Sequence, residues 1–540
     1  MRKKKLYLEL HLKDELVEGL PESSIFSRKA RTALYEITEA LHRASSDRKV
    51  AALLLTLENL HSGWARLSDV RRALSLYRES GKPIYCFMQE GGNSEYYLAS
   101  ACSHIFMPPA AHLGLVGLSA EVFFLRDLLD RLGIKAQILS MGEYKSAAEM
   151  FTRTGMSAPA REQMEALLDD HDEELRHAIQ ERGFTLDEVA AHIDGGPYTA
   201  REALQRKLLD GICYQDEMAD KLKAQLGAKT RPVSTSRYFK GEGFFRRLLT
   251  FRRPRVAVIN VIGHIDNGES RRSQTGRNVA GADTIRAFLD HADRSRKVRA
   301  IVLRVDSPGG SGTASDLIWR KISLVGKHKP VVVSFGDVAA SGGYYISAPA
   351  SRIVAESTSI TGSIGVLAGK VVARELMNRL AIRRETVQRG AHAAYDSLFS
   401  ELSEDESERL RSQIGEFYRE DFVKKVAEGR KMSEEAVDLA GRGRVWSGKR
   451  ARQQNLVDQI GGITEAIQQA RRLAGIPDSR KIRVMQYFRH RKLWERLMPD
   501  FRSPISARLL AHPAFEAMDI VEQIGRQGIL LMMPFRIRIK

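Results

Sequence analysis

The sequence predicts an α/β protein that is a tandem duplication of one domain, each copy ending in a helical extension. Strand-length aliphatic runs alternate with segments of helical spacing, which favours a parallel sheet with helices packed around it. Blocks of similar sequence recur at an offset of 248 positions, as between Tyr96 and Tyr344. Val50–Leu57 resembles Val298–Val305 at the same offset. Because separated blocks keep one offset, we interpret the two halves as copies of one unit.

Both copies follow the same order of elements. An opening strand (Leu6–Leu12; Val256–Ile265) precedes a helix, a strand–helix–strand unit, a helix at the paired tyrosines and a long charged helical stretch. We therefore predict a first repeat at 1–230, a basic and aromatic linker at 231–254, a second repeat at 255–476 and a C-terminal extension at 477–540.

The linker and the extension each leave two interpretations open. Residues 244–249 read Phe-Phe-Arg-Arg-Leu-Leu, which suits a solvated connection and a segment lying on an anionic membrane about equally. Residues 529–540 are too few to span a bilayer and are broken by Pro534, so they suit either a docked strand or an interfacial segment.

Composition narrows the classes of partner. The chain is 43% hydrophobic and 28% charged, as a globular protein with a large core would be, and its formal charge of +18 indicates an anionic partner. Zinc-finger, helix-turn-helix and RNA-binding patterns are absent, so we expect a membrane surface rather than nucleic acid. Three scattered cysteines predict neither a disulfide framework nor a zinc site. No apolar window is long enough to span a bilayer, so we expect peripheral association or a soluble protein.

Ser341 lies at a predicted turn from a strand into a helix. Residues 331–335 (Val-Val-Val-Ser-Phe) predict a buried parallel strand ended by Gly336 and Asp337, and a helix begins near Tyr344. Small neighbours at 339–343 (Ala-Ala-Ser-Gly-Gly) leave the hydroxyl approachable beside helix N-terminal amides. A serine in this position is most often only a helix cap, so a second observation is needed.

That observation is a Gly-Gly turn one strand–helix unit upstream. Residues 306–312 read Asp-Ser-Pro-Gly-Gly-Ser-Gly and follow the apolar strand 300–305. Bare glycine amides can approach a developing oxyanion closely. Turns that follow neighbouring parallel strands face one crevice, so this turn and Ser341 form a candidate active site.

Three motifs resemble the signal peptide peptidase A family in its long, two-repeat form. They are residues 306–312, residues 339–345 (Ala-Ala-Ser-Gly-Gly-Tyr-Tyr) and residues 358–366 (Thr-Ser-Ile-Thr-Gly-Ser-Ile-Gly-Val). The resemblance implies a serine peptidase with a Ser/Lys dyad on a fold shared with Clp protease and crotonase. It also implies a homotetramer at the bacterial inner membrane, although the long form usually carries an N-terminal membrane helix that is not predicted here.

The two copies have lost complementary parts of such a site. Asn93 stands opposite Ser341, and residues 60–63 (Leu-His-Ser-Gly) stand opposite the Gly-Gly turn. Conversely, Lys145 in Glu-Tyr-Lys-Ser-Ala stands opposite Ala393. We therefore expect one site with its nucleophile from the second half and its base from the first. The resemblance assigns the family's catalytic lysine to Lys145.

These residues define the expected mechanism. A buried, neutral Lys145 takes the proton of Ser341, which attacks a peptide carbonyl. Backbone N–H groups of Gly310 and Gly342 hold the oxyanion. By resemblance, Ser363 orients the lysine, with a simple turn-capping hydroxyl as its alternative. No cofactor and no metal are expected, because metal-ligand spacing is absent.

We expect an ATP-independent endopeptidase for small hydrophobic peptides such as cleaved signal peptides, since no Walker-type loop is present. Two other functions stay open: a crotonase-like acyl-CoA hydratase or thioesterase, and a catalytically idle membrane-associated scaffold. A histidine triad is disfavoured because no G-x-S-x-G surrounds a serine.

Overall fold

A computed structural model describes residues 5–19, 33–227, 230–240, 253–273, 277–487 and 529–533. The first half contains the strands β1 (Leu6–Asp14), β2 (Val50–Leu60), β3 (Ile84–Met88), β4 (Gly91–Gly92), β5 (His104–Met107), β6 (His112–Gly114), β7 (Lys135–Met141), β8 (Tyr198–Thr199), β9 (Gly211–Ile212) and β10 (Arg231–Ser234). The second half contains β11 (Arg255–Ile262), β12 (His264–Asp266), β13 (Arg271–Arg272), β14 (Asn278–Gly281), β15 (Val298–Ser307), β16 (Gly309–Ser311), β17 (Val331–Ala340), β18 (Arg352–Ala355), β19 (Ile360–Gly362), β20 (Val366–Val372), β21 (Val445–Ser447), β22 (Gln459–Ile460), β23 (Arg483–Tyr487) and β24 (Leu530–Met532).

Helices separate these strands. Those of the first half are Leu34–Ser46, Trp64–Glu79, Asn93–Ala99, Arg126–Leu132, Glu149–Thr152, Ala158–Gln180, Leu186–Asp194, Ala200–Gln205, Gln215–Leu226 and Thr235–Lys240, with a 3₁₀ turn at Ser146–Ala148. Those of the second half are Ala282–Arg294, Gly312–Gly326, Gly342–Ser347, Arg374–Arg379, Glu404–Glu416, Lys424–Arg430, Glu434–Ala440, Gly448–Gln453 and Ile463–Leu473, with a π-helical turn at Phe417–Val423. None of these helices in the described part of the chain is both long and apolar enough to cross a bilayer.

The main sheets of the two halves have the same strand order. The first runs β10-β1-β2-β3-β5-β9, and the second contains β23-β11-β15-β17-β18-β22. Every neighbouring pair in both series is parallel. The second sheet adds β19 and β21 beside the end of β17. The chain is thus a duplicated α/β fold, as its sequence predicts.

A strand follows the helical extension in each copy. β10 pairs with β1, and β23 pairs with β11, so both cover the edge of an opening strand. The predicted domain boundaries put β10 in the linker and β23 in the C-terminal extension. The Arg-Pro-Val-Ser run of β10 has a single aliphatic side chain, so periodicity did not reveal it. Residues 241–252, with the Phe-Phe-Arg-Arg pattern, lie outside the described residues.

Each main sheet is covered on both faces, which explains its continuous apolar strands. In the second half, Ile301 packs with Ala282–Arg294 and Gly312–Gly326 on one face. Val302 packs with Ile463–Leu473 on the other face. The first half has its own apolar core, built in the same way.

β17 is longer than its sequence predicts. Gly336 and Asp337 were expected to end it, but the strand runs on to the residue before Ser341. Its ladder with β15 shifts register between Val305 and Ser307, so the Gly-Asp pair lies in an irregularity. The continuation pairs with β19.

A seven-stranded sheet joins the two halves, in the order β13-β14-β12-β16-β24-β20-β7. β7 of the first half runs antiparallel to β20 of the second, from Lys135 opposite Val372 to Met141 opposite Val366. β24 lies between β16 and β20, so residues 530–532 form a docked strand, one of the two predicted alternatives.

Candidate active site

Ser341 sits in the sharp turn between β17 and the helix Gly342–Ser347. Its φ of 53° and ψ of −113° form a strained conformation for a residue with a side chain. Its N–H donates to the Gly362 carbonyl at 2.8 Å, and its carbonyl accepts from the Tyr345 N–H at 2.8 Å. These two hydrogen bonds hold the turn in place.

Lys145 reaches this serine from the other half of the chain. It follows β7, and the β7–β20 ladder brings it into the second half. Its Nζ lies 2.8 Å from Ser341 Oγ, and the residue is only 2% exposed. The structure therefore brings together the two residues that the complementary losses indicated.

Ser363 makes the remaining contacts of the amine. Lys145 Nζ lies 3.0 Å from Ser363 Oγ and 3.1 Å from its carbonyl oxygen. Ser363 itself has a φ of 52°, and its N–H donates to the Arg444 carbonyl at 2.7 Å. The amine is thus surrounded by hydroxyl and carbonyl oxygens. Burial lowers the pKa of Lys145 well below its usual value, because desolvation penalises the ammonium form.

Glycines allow the backbone of Lys145 to enter this space. Gly443 has a φ of +81°, and a Cβ built on it would lie 2.5 Å from both the Cβ and the N of Lys145. Gly142 has a φ of +106° and faces the Arg442 carbonyl oxygen, which its Cβ would meet at 2.4 Å. The sequence did not reveal the role of either glycine. Its only available signal was the Gly-Arg-Gly-Arg run at 441–444.

Gln163 is a second residue that the sequence did not identify. It lies on the first-half helix Ala158–Gln180 and is 3% exposed. Its Nε2 donates to the Tyr144 carbonyl at 3.1 Å and to Ser146 Oγ at 2.9 Å. Its Oε1 accepts from the Val445 N–H at 3.1 Å. One buried amide thus holds both neighbours of Lys145 to the second half.

The Gly-Gly segment and the helix start lie side by side. Gly309 and Gly310 have φ values of +103° and +155°. A Cβ on Gly342 would lie 3.1 Å from the Gly310 nitrogen. As the first helical residue, Gly342 has no intrahelical acceptor for its N–H. Both amides are therefore placed next to Ser341.

The equivalent turn of the first half has taken a structural role. Asn93 Nδ2 donates to the Gly117 carbonyl at 2.7 Å, and its Oδ1 accepts from the Val116 N–H at 3.2 Å. The Asn93 amide therefore holds the loop at Val116 and Gly117 in place.

His264 lies near the site without contacting the serine. A Cβ on Gly310 would lie 2.6 Å from His264 Cε1, and burial lowers the pKa of His264 to about 4. Within the described residues, Ser341 Oγ is hydrogen-bonded to Lys145 and to no histidine. This geometry does not favour a histidine triad.

A comparison with protein families identifies the class of protein. The model of Peptidase family S49 matches residues 77–229 and 323–477, one segment in each half. The chain belongs to this family and is a serine-type peptidase made of two family repeats.

Individual relatives agree with this assignment. The chain is 32% identical over 482 residues to Serine protease SPPA, chloroplastic, of Arabidopsis thaliana, covering 88% of this chain and 70% of that one. It is 32% identical over 467 residues to Protease 4 of Salmonella typhi, covering 83% and 73%. Among solved structures, ClpP1 from Listeria monocytogenes matches 42% of this chain and 99% of its own at 15% identity and a TM-score of 0.27.

Proposed function

We propose that the protein is an endopeptidase in which Ser341 is the nucleophile and Lys145 is the general base. The contact of 2.8 Å between Lys145 Nζ and Ser341 Oγ, inside a buried site, carries this proposal. The distance lies within the range from which a base removes a proton directly.

The surroundings of Lys145 suit a neutral amine. A neutral amine has two N–H bonds and one lone pair. The Ser363 carbonyl can only accept, and Ser363 Oγ offers a second acceptor. With both N–H bonds used on Ser363, the lone pair faces Ser341 Oγ. Ser363 therefore orients the base through its hydroxyl and carbonyl oxygens.

The reaction follows from this arrangement. Lys145 accepts the hydroxyl proton as Ser341 Oγ attacks the peptide carbonyl. The N–H groups of Gly310 and Gly342 stabilise the oxyanion. Lys145 then protonates the leaving amine, and water releases the acyl group by the reverse sequence. No step uses ATP, a metal or another cofactor.

The substrates we propose are small hydrophobic peptides, including signal peptides after their release. The site is buried between the two halves, so we expect its substrates to be extended peptides rather than folded proteins. The apolar residues at the start of β20 suit such peptides: Val366 is buried, and Leu367 is 1% exposed.

The test uses Ser341→Ala and Lys145→Met in the full chain. We expect Ser341→Ala to abolish both labelling by a fluorophosphonate probe and cleavage of a leucine-rich fluorogenic peptide. Lys145→Met is expected to lower kcat by about 10²–10⁴-fold. The control Lys449→Met, on a partly exposed lysine that pairs with Glu173, keeps the wild-type rate. Wild-type turnover by Ser341→Ala or Lys145→Met contradicts the assignment.

We also propose a homo-oligomer, a tetramer by family resemblance. At the offset of 248 positions, β7 corresponds to residues 383–389, and β20 corresponds to residues 118–124. Residues 383–389 are exposed, and Val387 is 87% exposed. Pairing this segment with residues 118–124 of a second copy repeats between subunits the ladder that β7 and β20 make within one chain.

A single substitution tests this assembly. Val387→Asp places a charge in the proposed ladder, so we expect it to lower the mass measured by light scattering after gel filtration. The control Leu186→Asp, at an exposed leucine (61%) outside this segment, keeps the wild-type mass. Equal masses for both variants and wild type argue against pairing through residues 383–389.

Peripheral contact with an anionic membrane is the localisation we propose. Arg253, Arg296, Lys297, Arg299 and Arg480 surround a surface hollow of about 220 Å³ whose lining, among described residues, contains no acidic side chain. The hollow adjoins the predicted linker. The net charge of +18 also favours binding to an anionic membrane.

A further inference from the structure

The cleft beside Ser341 is filled by a strand from the end of the same chain. β24 lies between β16, which carries the Gly-Gly segment, and β20. It is antiparallel to both. Leu530 and Leu531 are 0% exposed, and Met532 is 4% exposed. The segment is therefore fully inserted and not a surface strand.

The register shows which groups meet in the cleft. Gly309, Gly310 and Ser311 stand opposite Met532, Leu531 and Leu530. The flanking bonds are from the Gly312 N–H to the Ile529 carbonyl (3.1 Å) and from the Met533 N–H to the Pro308 carbonyl (2.8 Å). Hydrogen-bonded pairs alternate in an antiparallel ladder, so Gly310 and Leu531 form the bonded pair between these two.

The Leu531 carbonyl lies at the proposed oxyanion donors. A Cβ built on Gly309 would lie 2.0 Å from the Leu531 oxygen and 2.7 Å from the Gly342 nitrogen. The Leu531 oxygen and the Gly342 nitrogen therefore lie close to each other. The Gly310 N–H, which pairs with Leu531, lies beside them. This is the position that a peptide carbonyl must take to be attacked by Ser341.

The side chains on either side of Leu531 in the sequence pack against apolar residues of the site. Leu530 packs with Ala147 and Leu367. Met533 packs with Ala340 and Ile360. Ala147 is two residues from Lys145, and Ala340 directly precedes Ser341, so these contacts belong to the site itself.

We propose that Ile529–Met533 is an internal peptide ligand, and that substrates bind by displacing it in the same register. This inference rests on the proposed function, because it locates the scissile carbonyl from Ser341 and its oxyanion donors. It specifies the substrate as an extended apolar segment added as a strand between β16 and β20, with a leucine-like residue at the Leu531 position. It also makes the chain self-inhibited until the strand leaves.

The first test removes the apolar anchors in the full chain. The double variant Leu530→Asp, Leu531→Asp is expected to lose hydrogen-exchange protection at Gly310 and to raise kcat/KM for a leucine-rich peptide about tenfold or more. The control Leu439→Asp changes a leucine that is 71% exposed and is expected to alter neither quantity. If the double variant unfolds early, Leu531→Ala provides the same comparison with a milder change. Wild-type protection together with a wild-type rate overturns the proposal.

The second test adds the ligand back. A synthetic Ile-Leu-Leu-Met-Met peptide is expected to restore protection at Gly310 in the double variant and to inhibit it competitively. A peptide with aspartate in place of the central leucine does neither. Equal effects of both peptides, or no effect of either, overturn the proposal. Exchange at Gly310 does not depend on catalysis, so loss of the Ser341 assignment and loss of this inference are distinguishable.

Discussion

At the scale of single residues, the site depends on the protonation state of Lys145. The only cause that shifts its pKa is burial, and the shift is downward. No ion pair formed by the described residues includes Lys145, so no carboxylate among them stabilises its ammonium form. Ser363 supplies neutral oxygens only, which hold the amine without charging it.

This environment predicts the direction of the pH dependence. The neutral form of Lys145 is the active base, so kcat/KM is expected to rise with pH as Lys145 loses its proton. The midpoint of this rise should lie well below 10.5, the usual value for a lysine. A pH–rate profile on a fluorogenic peptide measures it. His264→Gln is expected to leave the midpoint in place, whereas a midpoint that follows His264 contradicts the role of Lys145.

At the scale of elements, one ladder between the halves positions the base. β7 and β20 pair over seven positions, and the chain after β7 then turns against Gly443. The absence of a side chain at 443 lets the Lys145 backbone come close enough for its amine to reach Ser341. The position of Lys145 is therefore a property of the packed ladder and of one left-handed turn.

Gly443→Ala tests this positioning. A Cβ at 443 meets the backbone and Cβ of Lys145, and φ is +81°, so the lysine must shift. A displacement near 1 Å is expected to lower kcat by about 10²-fold. Gly326→Ala is the control, because nothing outside the backbone of its own helix lies within 4 Å of its Cβ position. Circular dichroism of both variants checks that the fold is kept; a Gly443→Ala enzyme with wild-type kcat contradicts the argument.

At the scale of the whole molecule, buried ion pairs connect the two halves. Arg304 of the second half is 1% exposed and donates to both carboxylate oxygens of Glu18, at 2.7 and 2.8 Å. Asp69 lies 3.5 Å from the same guanidinium and accepts from the Ile463 N–H at 3.2 Å. Arg66 of the first half is paired with Asp337 of the second. Breaking such a network leaves an uncompensated buried charge, so the halves stay together.

Asp69 makes the stability of this interface pH-dependent. Burial raises its pKa to about 7 against the opposing effect of Arg304, whereas its usual value is 3.8. Between these values the folded state binds a proton that the unfolded state has lost, so stability falls as pH rises. Asp69→Asn is expected to reduce the fall in the free energy of unfolding from pH 5 to pH 7 by about 1–3 kcal/mol. Chemical denaturation at both values measures this; equal slopes for variant and wild type contradict it.

The hollow lined by Arg253, Arg296, Lys297, Arg299 and Arg480 predicts how the whole molecule binds membranes. We expect the protein to sediment with vesicles containing anionic lipid and to be released as salt increases. Reversing two charges at the hollow, with Arg296→Glu and Arg299→Glu, is expected to weaken sedimentation several-fold. Neutral vesicles are the control for the lipid. Equal binding to neutral and anionic vesicles argues against an electrostatic surface.

Local sequence determined much of the fold and the identity of the key side chains. Continuous aliphatic runs indicated strands buried on both faces, and the repeated offset indicated the duplication. Ser341 and the Gly-Gly segment were visible because small residues at a strand end leave a local signature. Short elements such as β10 were missed, because a strand of four residues at an edge needs little apolar sequence.

By itself, the sequence determined two copies with complementary losses, and so a hydroxyl in one half and an amine in the other. Only the tertiary structure decided that they meet, because the β7–β20 ladder, Gly443 and Gln163 join residues that are far apart in the chain. The same holds for β24 in the cleft. Its sequence is consistent with a docked strand or an interfacial segment. The docked strand forms because β16 and β20 offer strand edges and apolar contacts that exist only once both halves have packed.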